Sequence, residues 1–256
     1  MAERRVQGPG VPVTVRCYAE LNDFLPRHRR QSSFVVRVGR HTTTKDLLES
    51  LGVPHTEVDL IVVNGESETF DRALEEGDRV AAYPVFEAFD IAPISRLRPE
   101  PLRDVRFVLD GHLGRLAAFL RLAGFDTLYR AAAEDAELAA ASAGERRILL
   151  TRDRGLLMRR AVSHGHFVHA TRPEDQLREI VDRFDLRRSA RPFTRCTRCN
   201  TGLRPATPDE VAEGVPARSL RVFDSFLHCP ACRRTYWKGS HYRRLRGLLL
   251  AALGPE

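Results

Sequence analysis

The chain has very little lysine, a single tryptophan and no long apolar run. Only Lys45 and Lys238 are lysines among its 41 basic residues. No apolar stretch approaches the roughly 18 residues that span a bilayer, and the N-terminal Met-Ala-Glu-Arg-Arg lacks the apolar core of a secretory signal. There is no evident internal repeat or low-complexity tract. We therefore expect a cytoplasmic protein with no membrane association, and its 256 residues suggest two domains.

Charge is distributed unevenly along the chain. Residues 1–95 carry 11 basic and 15 acidic side chains, a net −4, so residues 96–256 carry 30 and 19, a net +11. An excess of arginine in one part of a protein favours a polyanionic partner, most commonly nucleic acid. A genome-wide preference for arginine would produce the same excess. Charge alone therefore leaves both interpretations open.

Four of the five cysteines form two Cys-x-x-Cys pairs separated by 29 residues. The pairs are Cys196 with Cys199 and Cys229 with Cys232. Four thiolates complete a tetrahedral zinc shell with no open position, which is typical of a structural site. Two disulfides are disfavoured without a secretory signal, and a redox Cys-x-x-Cys needs a βαβ setting. His228 and His241 are alternative ligands, but the cysteines already complete the shell. Cys17 is expected to be a buried apolar residue of a strand.

Residues 11–90 show the pattern of a small α+β domain. Strands are predicted at 11–17, 34–38, 58–63 and 79–83 from alternating or apolar runs. Thr42, Thr43 and Thr44 offer capping residues for a short helix that ends before Gly52. Asn64-Gly65 is a strong hairpin signal. The order ββαββ predicts a β-grasp fold.

A proline-rich linker, residues 91–103, separates this domain from a second one at 104–188. Strands are predicted at 105–109, 125–129, 148–150 and 167–170. Helices are predicted from 113 to a stop at Gly124, at 134–142, at 154–162 and at 174–184. Strands that alternate with helices form a parallel sheet through crossover connections, so this is an α/β domain.

Acidic residues follow two predicted strands of the α/β domain. Asp110 comes directly after 105–109, and Asp153 comes three residues after 148–150. Ligands bind at the carboxyl ends of parallel strands, and carboxylates there suit Mg²⁺ or Mn²⁺. Asp135, at a helix N-terminus, is a third candidate. Helix capping for Asp110, a turn or an arginine pair for Asp153, and dipole complementation for Asp135 are the structural alternatives. The weaker candidates, more consistent with solvent-facing positions, are Asp126, Glu137 and Asp175.

Arginines and aromatic residues provide a possible RNA surface. Arg115, Arg121 and Arg152 are candidates for phosphate contacts, with a solvated helix face as the alternative for Arg115 and Arg121. In the predicted zinc ribbon, residues 189–245, further phosphate contacts are expected from Arg198, Arg233 and Arg234. Tyr236, Trp237 and Tyr242 lie just beyond the ligands, where aromatic rings can stack on bases. For Trp237, packing is the favoured interpretation.

Two resemblances are carried by specific motifs. Val62-Val63-Asn64-Gly65 and Gly77-Asp78-Arg79-Val80 resemble the ubiquitin-like sulfur carriers of the ThiS/MoaD type. Those carriers end in Gly-Gly, whereas here the chain continues through Pro84-Val-Phe-Glu-Ala-Phe. Sulfur transfer is therefore disfavoured, and an interaction or substrate-positioning module is expected.

The second resemblance covers residues 105–245. Four motifs carry it: the run from Phe107 to Asp126, the segment Ile148-Leu-Leu-Thr-Arg-Asp153, the segment Asp175-Gln-Leu and the stretch from Cys229 to Tyr242. Together they are similar to the mutator-seven C-terminal ribonuclease family. The resemblance implies a PIN-like nuclease fold with a zinc ribbon, and a ubiquitin-like domain in front is common in bacterial members. It also implies a metal-dependent ribonuclease whose acidic site comprises Asp110, Asp135 and Asp153.

The leading hypothesis is thus an RNA-hydrolysing enzyme with structural Zn²⁺ and catalytic Mg²⁺ or Mn²⁺. The alternative is a noncatalytic RNA-binding adaptor whose β-grasp domain recruits a protein partner. A regulator related to sulfur carriers is a third class, which the missing Gly-Gly disfavours.

Overall fold

The computed structural model describes residues 10–84, Leu97 and residues 105–254. Apart from Leu97, the predicted linker lies outside the described residues, as does the stretch 85–89. The chain forms two compact units: residues up to Arg103 together with Asp153–Phe167, and Asp104–Arg152 together with the residues from Val168 onward. Within the described ranges, no helix has the length and apolar character to cross a membrane.

Within residues 10–84, the first unit contains a five-stranded mixed sheet and one α-helix. Its elements are β1 (Val11–Cys17), β2 (Phe34–Val38), α1 (Thr44–Ser50), β3 (Leu60–Val63), β4 (Glu66–Glu68) and β5 (Arg79–Tyr83). The strand order is β2-β1-β5-β3-β4, with β1 and β5 parallel and the other neighbours antiparallel. This arrangement confirms the predicted β-grasp fold. The short edge strand β4 was not predicted, because Glu66-Ser67-Glu68 has no apolar alternation.

Local sequence signals explain the elements of this sheet. Val13, Val15 and Cys17 alternate into the core. The Thr43 hydroxyl accepts from the Asp46 backbone N–H at 3.1 Å, and the Asp46 carboxylate accepts from the Thr43 N–H at 3.0 Å. This capping box starts α1 and, through the bonds from Thr43, lowers the pKa of Asp46 below its ordinary value. The expected burial of Cys17 is confirmed, and burial raises the pKa of its thiol to about 12.

The second unit begins with a parallel sheet. Its first elements are β6 (Arg106–Leu109), α2 (Gly114–Leu122), β7 (Asp126–Tyr129), α3 (Asp135–Glu145) and β8 (Ile148–Thr151). Strand β6 is paired in parallel with β7 on one side and with β8 on the other. Phe107, Val108 and Leu109 are fully buried, as expected of a strand covered on both faces. The predicted parallel-sheet domain is confirmed.

Residues 154–167 differ from expectation in their local structure. Helix α4 (Arg154–Leu157) is one turn long instead of extending to 162, and β9 (Gly165–Phe167) precedes the predicted strand at 167–170. After α4 the backbone forms three-residue turns, with Arg159 N–H donating to Leu156 O and Val162 N–H to Arg159 O. Such bonds replace the four-residue ladder that an α-helix requires. Helix α5 (Pro173–Arg183) then lies close to the predicted range.

The C-terminal part of the second unit is a small antiparallel sheet with two helices. Its elements are β10 (Arg204–Ala206), α6 (Ala217–Val222), β11 (Phe226–His228), β12 (Thr235–Trp237) and α7 (Ser240–Leu253). The strand order is β10-β11-β12. Its apolar cluster consists of Val211, Val215 and Phe226, with Trp237 packed against it. Helix α7 continues past the predicted boundary at 245.

Candidate functional site

The four paired cysteines converge in the second unit. Their sulfur atoms all lie within 4.8 Å of one another, an arrangement that can hold a metal ion. The Sγ atoms of Cys199 and Cys229 are 3.3 Å apart, and those of Cys196 and Cys232 are 3.5 Å apart. Zn–S bonds of about 2.3 Å in a tetrahedron place sulfur atoms about 3.8 Å apart. All five cysteines are free thiols, so the arrangement fits a thiolate metal site and not two disulfides.

The two cysteine pairs have the same backbone structure. Cys196 N–H donates to Thr201 O, and Asn200 N–H donates back to Cys196 O. In the second pair, Cys229 N–H donates to Arg234 O, and Arg233 N–H donates back to Cys229 O. The residue after each pair is left-handed, with φ of 69° at Asn200 and 59° at Arg233. These two matching turns, here called the first and second knuckles, direct both thiols of each pair to one point.

Neighbouring thiols in this group shift one another's pKa values in opposite directions. Burial alone would raise the pKa of Cys199, but its hydrogen bonds with Thr201 and with neighbouring thiols have the larger effect and lower the pKa to about 6. Burial and the adjoining cysteines raise the pKa of Cys232 to about 12. The Cys199 thiol therefore ionises readily, whereas the Cys232 thiol resists ionisation beside the other three. A bound dication would stabilise all four thiolates together.

The first knuckle is fixed to the parallel sheet by a buried arginine. Arg121, on α2, is only 6% exposed. Its Nε donates to Thr127 O at 2.9 Å, and its Nη1 donates to Thr197 O at 3.2 Å and Arg198 O at 2.9 Å. Burial lowers the pKa of this guanidinium, partly offset by Cys196 and Cys199. Arg121 therefore lies neither on a solvated face nor where a dissolved phosphate reaches it; it joins helix, strand and knuckle.

Asn200 and Asp126 make a second connection to the same knuckle. The Asn200 side chain accepts from Thr127 N–H at 3.0 Å and donates to Asp126 Oδ1 at 2.8 Å. Arg147 donates to the same carboxylate oxygen at 2.7 Å. Burial raises the pKa of Asp126, but the bonds from Arg147 and Asn200 lower it more, to below its ordinary value. Asp126 is thus a structural anion and not the solvent-facing residue that was expected.

The other two weak candidates are also accounted for by local contacts. Glu137 forms a capping box with Glu134 at the start of α3. Asp175 pairs with Arg178 at 2.7 Å on an exposed part of α5.

Asp110 lies at the carboxyl end of β6 and is held by two donors. Its Oδ1 accepts from the Gly111 backbone N–H at 2.5 Å, and its Oδ2 accepts from the Thr151 hydroxyl at 2.6 Å. His112 Nδ1 lies 3.4 Å from Oδ2. The Asp110 backbone N–H donates to Leu150 O, which extends the ladder between the central strands. The capping alternative is therefore correct for Asp110, but capping occupies only one carboxylate oxygen.

Asp135 is the first residue of α3, and the loop before it passes close to Gly111, the residue that follows Asp110. A Cβ atom added to Gly111 would lie 2.5 Å from Ala131 O, so only glycine allows this approach. The Tyr129 hydroxyl donates to Gly111 O at 2.7 Å and holds the same corner together. The chain following β7 thus runs directly past the end of β6.

Asp153 belongs to the first unit and caps α4. Its Oδ1 accepts from Gly155 N–H at 2.7 Å and from Leu156 N–H at 3.4 Å. The turn alternative is therefore correct for its local role. Within the described ranges, the four cysteines are the one group of three or more Cys, His, Asp or Glu side chains close enough to share a metal.

The predicted phosphate-binding arginines fall into two groups. Arg152 Nη1 donates to the carbonyls of Val168, His169 and Ala170 at 2.8–2.9 Å, which fixes the chain after β8. Arg115 is 71% exposed and lies 3.9 Å from Glu174. Arg198, Arg233 and Arg234, on the ribbon, are exposed.

The ribbon aromatics pack within the second unit. Trp237 contacts Phe226 of the ribbon's own apolar cluster, with ring centroids 6.4 Å apart. The ring therefore packs within the ribbon, and its expected packing onto the α/β domain stays a prediction. The Tyr236 hydroxyl lies 3.1 Å from Cys196 Sγ, and burial raises its pKa to about 12. Tyr242 lies against Phe193 at 4.6 Å. A cleft of about 390 Å³ is lined by Tyr236, Trp237, Tyr242 and Phe193, among others.

Comparison with known proteins agrees with this architecture. The family model for the Mut7-C RNAse domain matches residues 105–249, more than half of the chain, and the model for the Mut7-C ubiquitin domain matches residues 10–90. The chain belongs to the Mut7-C RNAse domain family. This membership indicates a nuclease-like function and confirms the resemblance found in the sequence. No curated protein is significantly similar to the chain.

Two solved structures each match less than a third of the chain. The small archaeal modifier protein 1 of Haloferax volcanii is 21% identical; the match covers 29% of this chain and 98% of that one, with a TM-score of 0.25. The putative molybdopterin converting factor, subunit 1, of Pyrococcus furiosus is 20% identical, with coverages of 29% and 97% and a TM-score of 0.24.

Proposed function

We propose that this protein is a metal-dependent ribonuclease that hydrolyses RNA phosphodiester bonds, with Asp110 as the central metal-binding carboxylate. The observation that carries the proposal is the position of Asp110 in a chain of the Mut7-C RNAse domain family. Its carboxylate lies at the carboxyl end of the central parallel strand, where ligands bind in sheets of this kind.

Two hydrogen bonds orient the Asp110 carboxylate without saturating it. Each oxygen accepts one bond, from Gly111 N–H or from the Thr151 hydroxyl. A carboxylate oxygen has two lone pairs, so each retains acceptor capacity for a cation. Thr151 is fully buried as the last residue of the buried strand β8, so its hydroxyl is fixed in place. We infer that Thr151 positions Asp110 for metal binding.

A site with few carboxylates suits Mg²⁺, because substrate phosphates and water can supply the remaining ligands. Mg²⁺ is commonly bound through one or two carboxylates together with substrate phosphates and water. Asp135 is the proposed second acid, since the loop before it passes beside Gly111. Asp153 is proposed as the third on sequence grounds, because it follows Thr151 by two residues. A bound Mg²⁺ or Mn²⁺ would supply an activated water and would stabilise charge on the phosphate.

Zinc binding by the four cysteines would stabilise the ribbon and present basic residues to RNA. Among the described residues, the ribbon's apolar cluster has a buried core of three side chains, so metal binding would supply much of its folding free energy. Arg198, Arg233 and Arg234 border the two knuckles and are proposed to bind phosphates, as is Arg115 on α2. Arg121 and Arg152 are assigned structural roles instead, because their donors are engaged by backbone carbonyls.

The proposal is tested by RNA cleavage with Mn²⁺ or Mg²⁺. Wild-type protein should cleave, whereas Asp110→Asn and Asp153→Asn should lose about 100-fold or more in rate, since each removes a charge that stabilises the transition state. Asp224→Asn, at an exposed ribbon position, is the matched control and should retain full activity. Equal cleavage by all four proteins would assign the activity to a contaminant.

The noncatalytic adaptor remains the second candidate. The observation that favours it is the exposed arginines on the ribbon, which can bind RNA without cutting it. Salt-dependent RNA binding by wild-type protein, with no cleavage under either metal, would support this function. A protein partner of the β-grasp domain stays a prediction under both functions.

A further inference from the structure

The segment Asp153–Phe167, here called the docked segment, packs with the β-grasp residues in the first unit. In sequence it lies within residues 105–249, which match the RNAse domain family. It begins at Asp153, one of the three proposed catalytic acids. Three sets of contacts connect it to the β-grasp domain.

The first set surrounds Arg154, directly after the acid. Its guanidinium lies over the Phe24 ring at 4.9 Å and over the Phe167 ring at 5.6 Å. Nη1 donates to Phe24 O at 3.2 Å, and Nη2 donates more weakly to Asp23 O at 3.4 Å. The two phenylalanine rings meet edge to face at 5.6 Å. Phe24 of the β-grasp domain thus contacts both the guanidinium of Arg154 and the ring of Phe167.

In the second set, the buried carboxylate of Glu57 binds the C-terminal end of the docked segment. Glu57 is 1% exposed, in the short 3₁₀ turn at His55–Glu57. One carboxylate oxygen accepts from Phe167 N–H, and the other lies 3.2 Å from His166 Nδ1. A carboxylate is buried at this depth only when it is well hydrogen-bonded. Its partners come from β9, so Glu57 holds that strand to the β-grasp domain.

The third set fixes the middle of the segment. His55 is buried, and its Nε2 donates to Val162 O at 2.7 Å, since a carbonyl can only accept. Its Nδ1 lies 2.7 Å from Glu49 Oε1, on α1. The β-grasp domain therefore contacts the docked segment at its start, its middle and its end.

We propose that the β-grasp domain acts in cis as a holder that sets the position of Asp153, with Arg154 and Phe24 as positioning residues. Because Asp153 caps Gly155 and Leu156, any movement of Arg154 displaces the turn that orients the Asp153 carboxylate. The consequence for catalysis rests on the proposed function. The proposal that the β-grasp domain fixes this turn does not rest on the proposed function, because it concerns only the conformation of the turn.

The test is hydrogen exchange of full-length protein, read at the Gly155 and Leu156 amides. Arg154→Met keeps the aliphatic stem and removes the guanidinium, and Phe24→Leu removes the ring from the β-grasp side. Both should accelerate exchange at these amides by roughly tenfold. Arg160→Met, at an exposed arginine of the same segment, should leave them unchanged. Exchange within about twofold of wild type in both variants would overturn the proposal.

Kinetics separate the two proposals. If wild-type protein cleaves RNA and Asp110→Asn does not, Arg154→Met should lower kcat by about ten- to a hundredfold and raise the Mn²⁺ concentration for half-maximal rate, with KM for RNA unchanged. Faster exchange with an unchanged kcat, or a rise in KM alone, would overturn the positioning role and leave the ribonuclease in place. If wild-type protein does not cleave RNA, the proposed function fails. The exchange data still show whether the β-grasp domain fixes the turn at Asp153.

Discussion

Replacing Arg121, on α2, with methionine should lower the free energy of unfolding of the protein strongly. Methionine keeps the aliphatic length and the helix propensity of arginine. It removes the three bonds to Thr127 O, Thr197 O and Arg198 O. The substitution therefore isolates the contribution of the guanidinium that connects α2 to the first knuckle.

The magnitude follows from those three bonds. A hydrogen bond from a charged donor contributes about 1.5–3 kcal/mol. The bond to Thr127 O is buried and should count in full, whereas the two knuckle carbonyls are partly exposed and can recover water. Removing a buried charge also removes its desolvation cost. We expect a net loss of about 2–4 kcal/mol in the free energy of unfolding.

Urea unfolding followed by the fluorescence of Trp237, the one tryptophan of the chain, measures this loss at the ribbon. Arg115→Met is the matched control on the same helix, since Arg115 is 71% exposed. It should shift the free energy of unfolding by less than about 0.5 kcal/mol. If Arg121→Met proves as mild as the control and weakens RNA binding instead, the structural role of Arg121 is refuted.

Two further predictions concern the metal site and acid stability. Wild-type protein should contain about one zinc per chain by elemental analysis, and Cys199→Ser should lose most of it together with the native fluorescence of Trp237; full zinc retention would contradict the four-thiolate site. The pKa of Asp126 is lowered below its ordinary 3.8, so its ionised form stabilises the fold above that pH, and the stability is lost as pH falls through the lower folded value. The urea midpoint of wild type should therefore decline below about pH 4, and Asp126→Asn should show a flatter pH dependence in this range. Parallel curves would contradict that role.

Periodic and turn signals in the sequence predicted most of the β-grasp fold. The bounds of β1, β2 and β5 agree with the prediction because alternating apolar residues define them. The same reasoning missed β4, whose polar residues pair at a sheet edge only because the Asn64-Gly65 turn returns the chain along β3. It also stopped short of α7, although Leu245, Leu249 and Ala252 recur at helical spacing.

Long-range contacts account for the elements that differed from prediction. Leu156, Leu157 and Val162 suit a long helix, yet Val162 O is engaged by His55, from more than 100 residues away in the chain. A sequence window cannot contain that partner. The predicted strand at 167–170 is displaced because Arg152 binds the carbonyls of 168–170 outside any sheet ladder.

Candidate site residues were predictable by type and not by environment. The cysteine spacing alone indicated the metal site, since four thiols at that spacing have few alternatives. Arginines offer no such constraint: Arg115 and Arg121 lie on one helix, and only packing shows that one is exposed and the other buried. Asp110 could be placed at a strand end, whereas its bond to Thr151 depends on the pairing of β6 with β8.

The most direct test of the ribonuclease is the single-turnover rate of RNA cleavage as a function of Mn²⁺, measured for wild-type protein and Asp110→Asn with equal zinc content. We predict a saturable, Mn²⁺-dependent rate for wild type and a rate at least about 100-fold lower for the variant at every metal concentration. Equal rates for the two proteins would contradict the assignment of Asp110 as the central metal-binding carboxylate.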